Sequence, residues 1–307
     1  GAVTGGRRLV VAGLEVRLAD FVTLGALIVL TAVAVVARGR LDRPRFIIGT
    51  GLAVIAFYIL CQAALRLLRP PVLRFLFRTA AVQLTCLQIY QTASALQLLL
   101  FPWQDARVLA LEGAVFRVNP VVALQKVYTP ALSEWMFFVY VFYVVIYPLL
   151  GLIVFLKHGE EANEDYLFHL GLVNLVCGLG FILFPVASPM HWPEIRAQLT
   201  APLTGGFFAS VAEWIRHDVH TAGGSVPSPH CAVATVMWFM ARKYTRRGFA
   251  ILAPVILSLY VSTVYGRFHY LTDMVVGVAA ALAVIVAAPV LERAWDRNTV
   301  RLPGEPL

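Results

Sequence analysis

Charged residues are scarce in this chain of 307 residues. They make up 14% of the sequence, whereas soluble domains carry about 25%. Hydrophobic residues make up 60%, and the mean hydropathy is +0.77. A soluble core of this size cannot take up so many apolar side chains, so the composition argues against a soluble protein and indicates an integral membrane protein.

Lysine is also scarce, because 22 of the 25 basic residues are arginine. This bias is typical of a GC-rich genome and favours a bacterial plasma membrane as the location. The arginines lie between apolar runs, as residues that flank membrane spans do. No basic stripe alternates with aromatic residues, so the sequence predicts no nucleic-acid partner.

The four cysteines contain no CxxC pair. Each lies inside an apolar run, at Cys61, Cys86, Cys177 and Cys231. We interpret them as small buried hydrophobic residues, without a metal-binding or redox role.

Eight apolar segments are candidate membrane spans, since a span needs about 20 residues at about 1.5 Å rise per residue. They cover residues 20–37, 46–66, 76–101, 131–156, 164–187, 228–243, 248–266 and 270–291. A span in lipid must satisfy its backbone polar groups internally, so each is expected to be a helix. The predicted fold class is all-α, a polytopic membrane helix bundle.

Two long connections interrupt these spans. Residues 102–130 are amphipathic, which predicts one or two short helices at the membrane interface. Residues 188–226 form a loop of a length that is usually functional. The expected organisation is two N-terminal transmembrane helices, a six-helix core that includes both connections, and a cytoplasmic tail, over residues 1–75, 76–291 and 292–307.

The distribution of basic residues predicts the orientation. If the loop that contains Arg242, Lys243, Arg246 and Arg247 is cytoplasmic, 15 basic residues lie inside and 10 outside. The 188–226 loop and the starts of the sixth and eighth spans then face the extracytoplasmic side. Four arginines in residues 38–45 also face outside, against the general rule.

The first chemical motif is SVPSPH, residues 225–230. Ser228 is suited to a helix N-cap and Pro229 to the first helical position, so a helix is predicted to begin here. His230 then lies in the first turn, where free N–H groups and the helix dipole attract anions. A phosphate or a carboxylate is the expected ligand.

The second motif is VYGRFHYLTDMVVG, residues 264–277. His269 and Asp273 are four residues apart and share one helix face. The carboxylate can accept a hydrogen bond from one ring nitrogen and leave the other as a base or nucleophile. Ionisable residues at the mouth of a span are functional by default, and a structural His-Asp pair is the alternative.

Together the two motifs resemble the type 2 phosphatidic acid phosphatase superfamily of membrane enzymes. Its members carry P-S-G-H and S-R-x-x-x-x-x-H-x-x-x-D motifs at the ends of two helices in a six-helix core. The likeness covers about residues 76–290 and is closest to the branch that contains the inositol phosphorylceramide synthases. This branch also tends to lack the Ser-Arg pair, which is Ser262-Thr263 here, and FPVASPMHW and DARVLALEGAVFRVNPVVALQKVYTPALSEW are similar to its F-P-x-A-P-P motif and its amphipathic segment.

The resemblance implies a lipid phosphotransferase or phosphatase that uses no metal ion and no cofactor. His269 would attack phosphorus and form a phosphohistidine, and Asp273 would orient it. His230 would protonate the leaving oxygen and then activate water or an alcohol. The implied partners are the bilayer and a phospholipid, polyprenyl phosphate or sphingolipid phosphate.

The chain departs from the family pattern in the motifs that bind the phosphate group and compensate its negative charge. The family's K-x-x-x-x-x-x-R-P clamp is not visible, Pro229 replaces the glycine of P-S-G-H, and Ser188 replaces the first proline of A-P-P. The candidate substrate-binding residues are therefore Arg267, His191 and the hydroxyl of Ser228. Each has a simpler interpretation: a membrane-flanking arginine, a loop histidine and a helix cap.

Three other classes of protein remain as alternatives. His230 and His269 could ligate haem, although a haem bundle needs histidines in the middle of its spans. Ser228 and His269 could form a serine hydrolase, although Pro-Ser-Pro is a poor nucleophile turn. The main alternative is a lipid transporter, which needs broken helices near the midplane.

Overall fold

The computed structural model describes residues 9–11, 14–219 and 221–298, and this part of the chain is mainly helical. Its helices are α1 (Leu18–Val36), α2 (Pro44–Leu65), α3 (Pro71–Leu96), α4 (Asp105–Phe116), α5 (Pro120–Leu124), α6 (Pro130–Leu183), α7 (Pro193–Arg196), α8 (Phe207–Trp214), α9 (Pro229–Tyr244), α10 (Arg246–Tyr265) and α11 (Leu271–Asn298). Two short antiparallel strands precede them, β1 (Leu9–Val11) and β2 (Leu14–Val16), with Leu9 opposite Val16. The all-α fold class is confirmed.

Six helices of the described part are long and apolar enough to cross a membrane, namely α1, α2, α3, α6, α10 and α11. Helix α6 has 54 residues and covers two of the predicted spans, with a break at Gly159, whose φ of 82° is not helical. Helix α9 has only 16 residues, so at about 1.5 Å per residue it is shorter than a full span. The eight predicted segments thus correspond to seven helices, six of which meet the length of a span.

Several helices begin with a capping side chain followed by proline. Asn119 accepts a hydrogen bond from the backbone N–H of Val121 before α5, and Thr129 accepts one from Leu132 before α6. Proline follows both caps, at a position where its missing N–H has no helical partner. These local signals fix where α5 and α6 begin.

The chain forms two compact units that do not follow chain order. Among the described residues, unit 1 contains 9–11, 14–96, 148–176 and 282–298, and unit 2 contains 97–147, 177–219 and 221–281. Helix α11 continues to Asn298, so the predicted tail begins as helix, and residues 299–307 lie outside the described part of the chain.

Unit 1 contains a buried ionic network. Arg78 of α3 forms two hydrogen bonds of 2.6 Å each with the carboxylate of Glu164 in α6, and it also pairs with Asp20 of α1. Asp20 accepts further hydrogen bonds from Tyr58 and Gln62 of α2. Because Asp20 and Arg78 are almost completely buried, each charge depends on the other for compensation. The network therefore joins the first three helices to α6.

Replacing one member of this network is expected to destabilise the protein. We predict that Asp20→Asn lowers the free energy of unfolding by about 3 kcal/mol, because it leaves Arg78 with a buried and partly uncompensated charge. Thermal denaturation of the protein in detergent measures this loss. Asp42→Asn, at an exposed position, is the control, and equal melting temperatures for the two variants would contradict the prediction.

Unit 2 has a hydrophobic core beneath α4 and α5. Its buried members are Val108, Val121, Val186, Ile195, Val226, Val264 and Tyr270. Helix α4 and the segment 120–127 meet at a bend of 65°, in agreement with the one or two short helices predicted for residues 102–130. This core holds the ends of α6, α10 and α11 around the candidate site.

Candidate active site

The start of α9 has the geometry that SVPSPH predicts. The Ser228 hydroxyl accepts a hydrogen bond of 3.4 Å from the backbone N–H of Cys231, and Pro229 is the first helical residue. The backbone N–H of Ser228 donates to the carbonyl oxygen of Asp273 at 3.0 Å. This bond joins the start of α9, and with it His230, to the first turn of α11.

His269 and Asp273 meet as expected, but they do not share a helix face, because His269 lies two residues before the start of α11. The Nδ1 atom of His269 lies 3.4 Å from the Oδ2 atom of Asp273, and the exposed fractions of the two side chains are 3% and 0%. Asp273 also accepts a hydrogen bond of 3.0 Å from the backbone N–H of Tyr270. Because Nδ1 faces the carboxylate, Nε2 is the ring nitrogen that can act as a base or a nucleophile.

Ser225 is a member of this cluster that the sequence analysis missed. Its hydroxyl donates to Asp273 Oδ2 at 2.7 Å and lies 3.2 Å from His269 Nδ1. It therefore contacts both groups of the pair. The available signal was its place three residues before Ser228, in the turn that leads into α9.

Burial controls the charge of the candidate nucleophile. It lowers the pKa of His269 from the ordinary value of 6.5 to about 3. The imidazole is therefore neutral at pH 7, which is the form that carries a lone pair on Nε2.

His230 lies beside His269 and is held by aromatic rings. The centroids of the two histidine rings are 5.7 Å apart, in an edge-on arrangement. Tyr140 of α6 stacks on His230 at 4.7 Å and on Phe268 at 4.2 Å. Since Phe268 precedes His269 directly, this aromatic column sets the position of one histidine relative to the other.

Two carboxylates of α4 organise the surroundings of the site. Asp105 accepts hydrogen bonds from the backbone N–H groups of Ala187 and Ser188 and from the hydroxyl of Tyr270. Glu112 accepts from the backbone N–H and the hydroxyl of Thr272, at 2.8 and 3.1 Å. One side chain holds the segment after α6, and the other satisfies a free N–H group at the start of α11.

Ser188 shows why this chain departs from the A-P-P pattern. Its φ of 92° lies in the left-handed region, which proline cannot adopt because its ring fixes φ near −65°. The backbone N–H that Ser188 donates to Asp105 would also be missing in proline. The backbone of this chain at residue 188 therefore excludes proline.

Arg267 contacts the loop that follows α7. Its guanidinium donates to the carbonyl oxygens of Ala201 and Leu199 and to Gln125 Oε1, and its Nε atom donates to the hydroxyl of Tyr128 at 3.4 Å. Its φ of 67° costs about 1–3 kcal/mol, and such strain clusters at functional sites. Four of its five N–H groups thus have partners among the described residues, so much of its hydrogen-bonding capacity holds the loop.

His191 lines a polar cavity of about 750 Å³ that also contains Arg267 in its wall. Burial and the positive charge of Arg196 lower the pKa of His191 below its ordinary value. The neutral form of His191 is therefore favoured at pH 7, and its expected role in binding phosphate stays a prediction.

A comparison with protein families identifies the superfamily of this chain. The sequence model of the PAP2 superfamily, the type 2 phosphatidic acid phosphatases, matches residues 106–287, which is more than half of the chain. The chain belongs to the PAP2 superfamily. No curated protein and no solved structure matches it. As a PAP2 protein it is an integral membrane enzyme of the phosphatase or phosphotransferase type, and its substrates are lipid phosphates.

Gly277 permits the close approach of α9 and α11 in this PAP2 protein. A Cβ atom at residue 277 would lie 2.6 Å from the backbone oxygen of Ser228. We predict that Gly277→Ala lowers kcat by about 10²-fold, because a displacement of about 1 Å at a reacting centre has an effect of this size. Turnover of a labelled lipid phosphate measures it.

Gly25→Ala is the matched control, since a Cβ atom there meets nothing within 4 Å. Both variants add one methyl group to a glycine inside a long helix. Equal activity of the two variants would contradict the importance of the close approach.

Ser225 is expected to position His269 and Asp273. We predict that Ser225→Ala lowers kcat by about tenfold or more with little change in KM, because a hydrogen bond to a charged group contributes about 1.5–3 kcal/mol. Ser258→Ala, which removes a hydroxyl that contacts Trp135, is the control. A change in KM alone would assign Ser225 to substrate binding instead.

Proposed function

We propose that the chain transfers a phosphorylated group from a membrane lipid through a phosphohistidine at His269. The observation that carries this proposal is the pairing of a neutral buried His269, bound at Nδ1 to Ser225 and Asp273, with a second histidine at 5.7 Å. In a two-step displacement one histidine attacks phosphorus with the lone pair of its free ring nitrogen, and a second histidine acts as acid and base on the same phosphoryl group.

In the first step, His269 Nε2 attacks phosphorus and the bond between phosphorus and the leaving oxygen breaks. His230 donates its proton to that oxygen. The phosphorylated imidazole keeps its proton on Nδ1 and carries a positive charge, which the Asp273 carboxylate stabilises at 3.4 Å. Ser225 and the backbone N–H of Tyr270 hold the carboxylate in place.

In the second step, an acceptor hydroxyl attacks phosphorus while His230 takes its proton. The P–N bond breaks and returns His269 to the neutral form. The acceptor is an alcohol in a transferase and water in a phosphatase. The burial of His269, which is 2% exposed, supports the alcohol because a site closed to water limits hydrolysis.

The resemblance to the inositol phosphorylceramide synthases supports the same choice. We therefore propose a phosphotransferase, with a lipid phosphatase as the second candidate and with no metal ion in either reaction. The basic residues of the α9–α10 connection support a cytoplasmic position for that connection and an extracytoplasmic site in a bacterial plasma membrane. Membership of an enzyme family favours both reactions over the transport alternative.

Substitution of the two histidines is expected to block different steps of the reaction. With a substrate that has a good leaving group, we predict that His230→Ala still forms a phosphoenzyme but turns over about 10²–10⁴-fold more slowly, because it lacks the acid and base. His269→Ala should form no phosphoenzyme and show no turnover. Rapid quenching with a phosphorus-labelled lipid, followed by acid and base treatment of the protein, measures the acid-labile bond.

His158→Ala, at an exposed position in unit 1, is the control for loss of a histidine. Adding alcohol acceptors to the wild-type reaction then separates the two candidates. A phosphorylated acceptor with little free phosphate supports the transferase, and inorganic phosphate alone supports the phosphatase. Full activity in His269→Ala would show that another residue is the nucleophile.

A further inference from the structure

The polar cavity that His191 and Arg267 line lies in unit 2, within the outer loop and α8. Its wall includes Arg196, Ser210, Glu213, Arg216 and Arg267. Its volume of about 750 Å³ falls in the range of about 300–1,000 Å³ that holds whole small molecules. A single phosphate group does not require a space of this size.

The cavity has an excess of positive charge. Three arginines line it against one carboxylate, Glu213, which leaves a formal excess of two positive charges among the lining residues. Two of these arginines, Arg196 and Arg216, belong to the outer loop, outside the sequence motifs that carry the family resemblance. An anionic ligand fits this charge.

Arg216 is more enclosed than Arg196, which is exposed. Its side chain is 9% exposed, pairs with Glu213 and lies over the ring of Phe137 at 5.6 Å. Burial and the positive charge of Arg267 lower the pKa of Arg216 to about 10, so it remains charged at pH 7. Two guanidinium groups that repel each other at an enclosed wall gain stability when an anion binds between them.

The walls of the cavity are held in place by hydrogen bonds. Glu134 of α6 accepts hydrogen bonds of 3.0 Å from the backbone N–H groups of Phe208 and Ala209, which fixes the start of α8. Gln125 contacts the backbone of Gln198 and Ala201 at 2.9 Å each. A wall built in this way needs little ordering when a ligand binds.

We propose that this cavity is a subsite for a phosphorylated sugar or polyol head group, whose second phosphate binds Arg216 and Arg196. The proposal rests on the proposed function, which places the reacting phosphate at His269. Arg267 lines the cavity and precedes His269 by two residues along the chain. The chain thus selects lipids whose head group carries an anion beyond the reacting phosphate.

Binding of soluble sugar phosphates to the full chain in detergent tests the proposal without requiring turnover. By isothermal titration calorimetry, glucose 1,6-bisphosphate should bind about tenfold or more tightly than glucose 1-phosphate, as expected for charge-assisted hydrogen bonds. Arg216→Gln should remove this preference, and Arg216→Lys should keep part of it because a lysine retains the charge but not the planar fork.

Two further variants complete the design. Arg196→Gln changes an exposed residue of the wall, so it should reduce the preference without affecting folding. Arg107→Gln changes an exposed arginine of α4 outside the cavity and should keep the wild-type preference. The proposal is overturned if wild-type protein binds the two sugar phosphates equally, or if the preference survives in both Arg216→Gln and Arg196→Gln.

Two controls distinguish the head-group subsite from the phosphohistidine mechanism and from simple diphosphate binding. His269→Ala should form no phosphoenzyme but should keep the preference for the bisphosphate, so each proposal can fail alone. Pyrophosphate brings two phosphates without a sugar between them. If it matches the bisphosphate in affinity and in dependence on Arg216, the cavity binds a diphosphate and the head-group subsite is wrong.

Discussion

Asp273 is the residue on which the geometry of the site depends. Its side chain receives hydrogen bonds from Ser225 and the backbone of Tyr270 and faces His269, while its carbonyl oxygen receives the backbone N–H of Ser228. One residue thus orients the candidate nucleophile and joins the helix that carries His230. Because the side chain is completely buried, each missing hydrogen bond would leave a buried polar atom without a partner. The same bonds that make this burial tolerable also hold the reacting groups.

Unit 1 also contains a buried ionisable side chain that is stabilised by hydrogen bonds, but this one has no evident chemical role. Arg78 lies among Asp20, Glu164 and Tyr58, and nearly all of its donors are used by charged or polar partners. Its bidentate pairing with Glu164 leaves little freedom for either side chain. In unit 2, by contrast, the Nε2 atom of His269 is directed away from its partners. Arg78 thus has a structural role, whereas His269 keeps one ring nitrogen available for a ligand.

The sequence predicted the parts that follow from local or periodic patterns. Hydropathy located the long helices, and the Ser-Pro pair located the start of α9. The pairing of His269 with Asp273 was also expected, although His269 lies before α11 and not on a shared helix face. It could not predict Asp105, Glu112 or Tyr140, because their contacts lie more than 80 residues away along the chain. Such contacts depend on how the helices pack, and a single sequence carries no periodic signal for them. The two spans that α6 covers were separated at residues 157–163, and the break at Gly159 lies within this interval.

The absence of the family's phosphate clamp has a physical consequence for the outer loop. Charge that develops on phosphoryl oxygens needs nearby cations or directed dipoles, and at pH 7 His191 is neutral while Arg267 is largely engaged by loop carbonyls. Near His269 the backbone N–H groups of Tyr270 and Thr272 are already bound to Asp273 and Glu112, whereas the arginines of the outer loop supply positive charge. Since that loop is anchored through Glu134 and Gln125, its cations occupy defined positions. Moving the charge from the helical core to the loop would let the enzyme recognise a head group and stabilise the reacting phosphate with separate sets of residues.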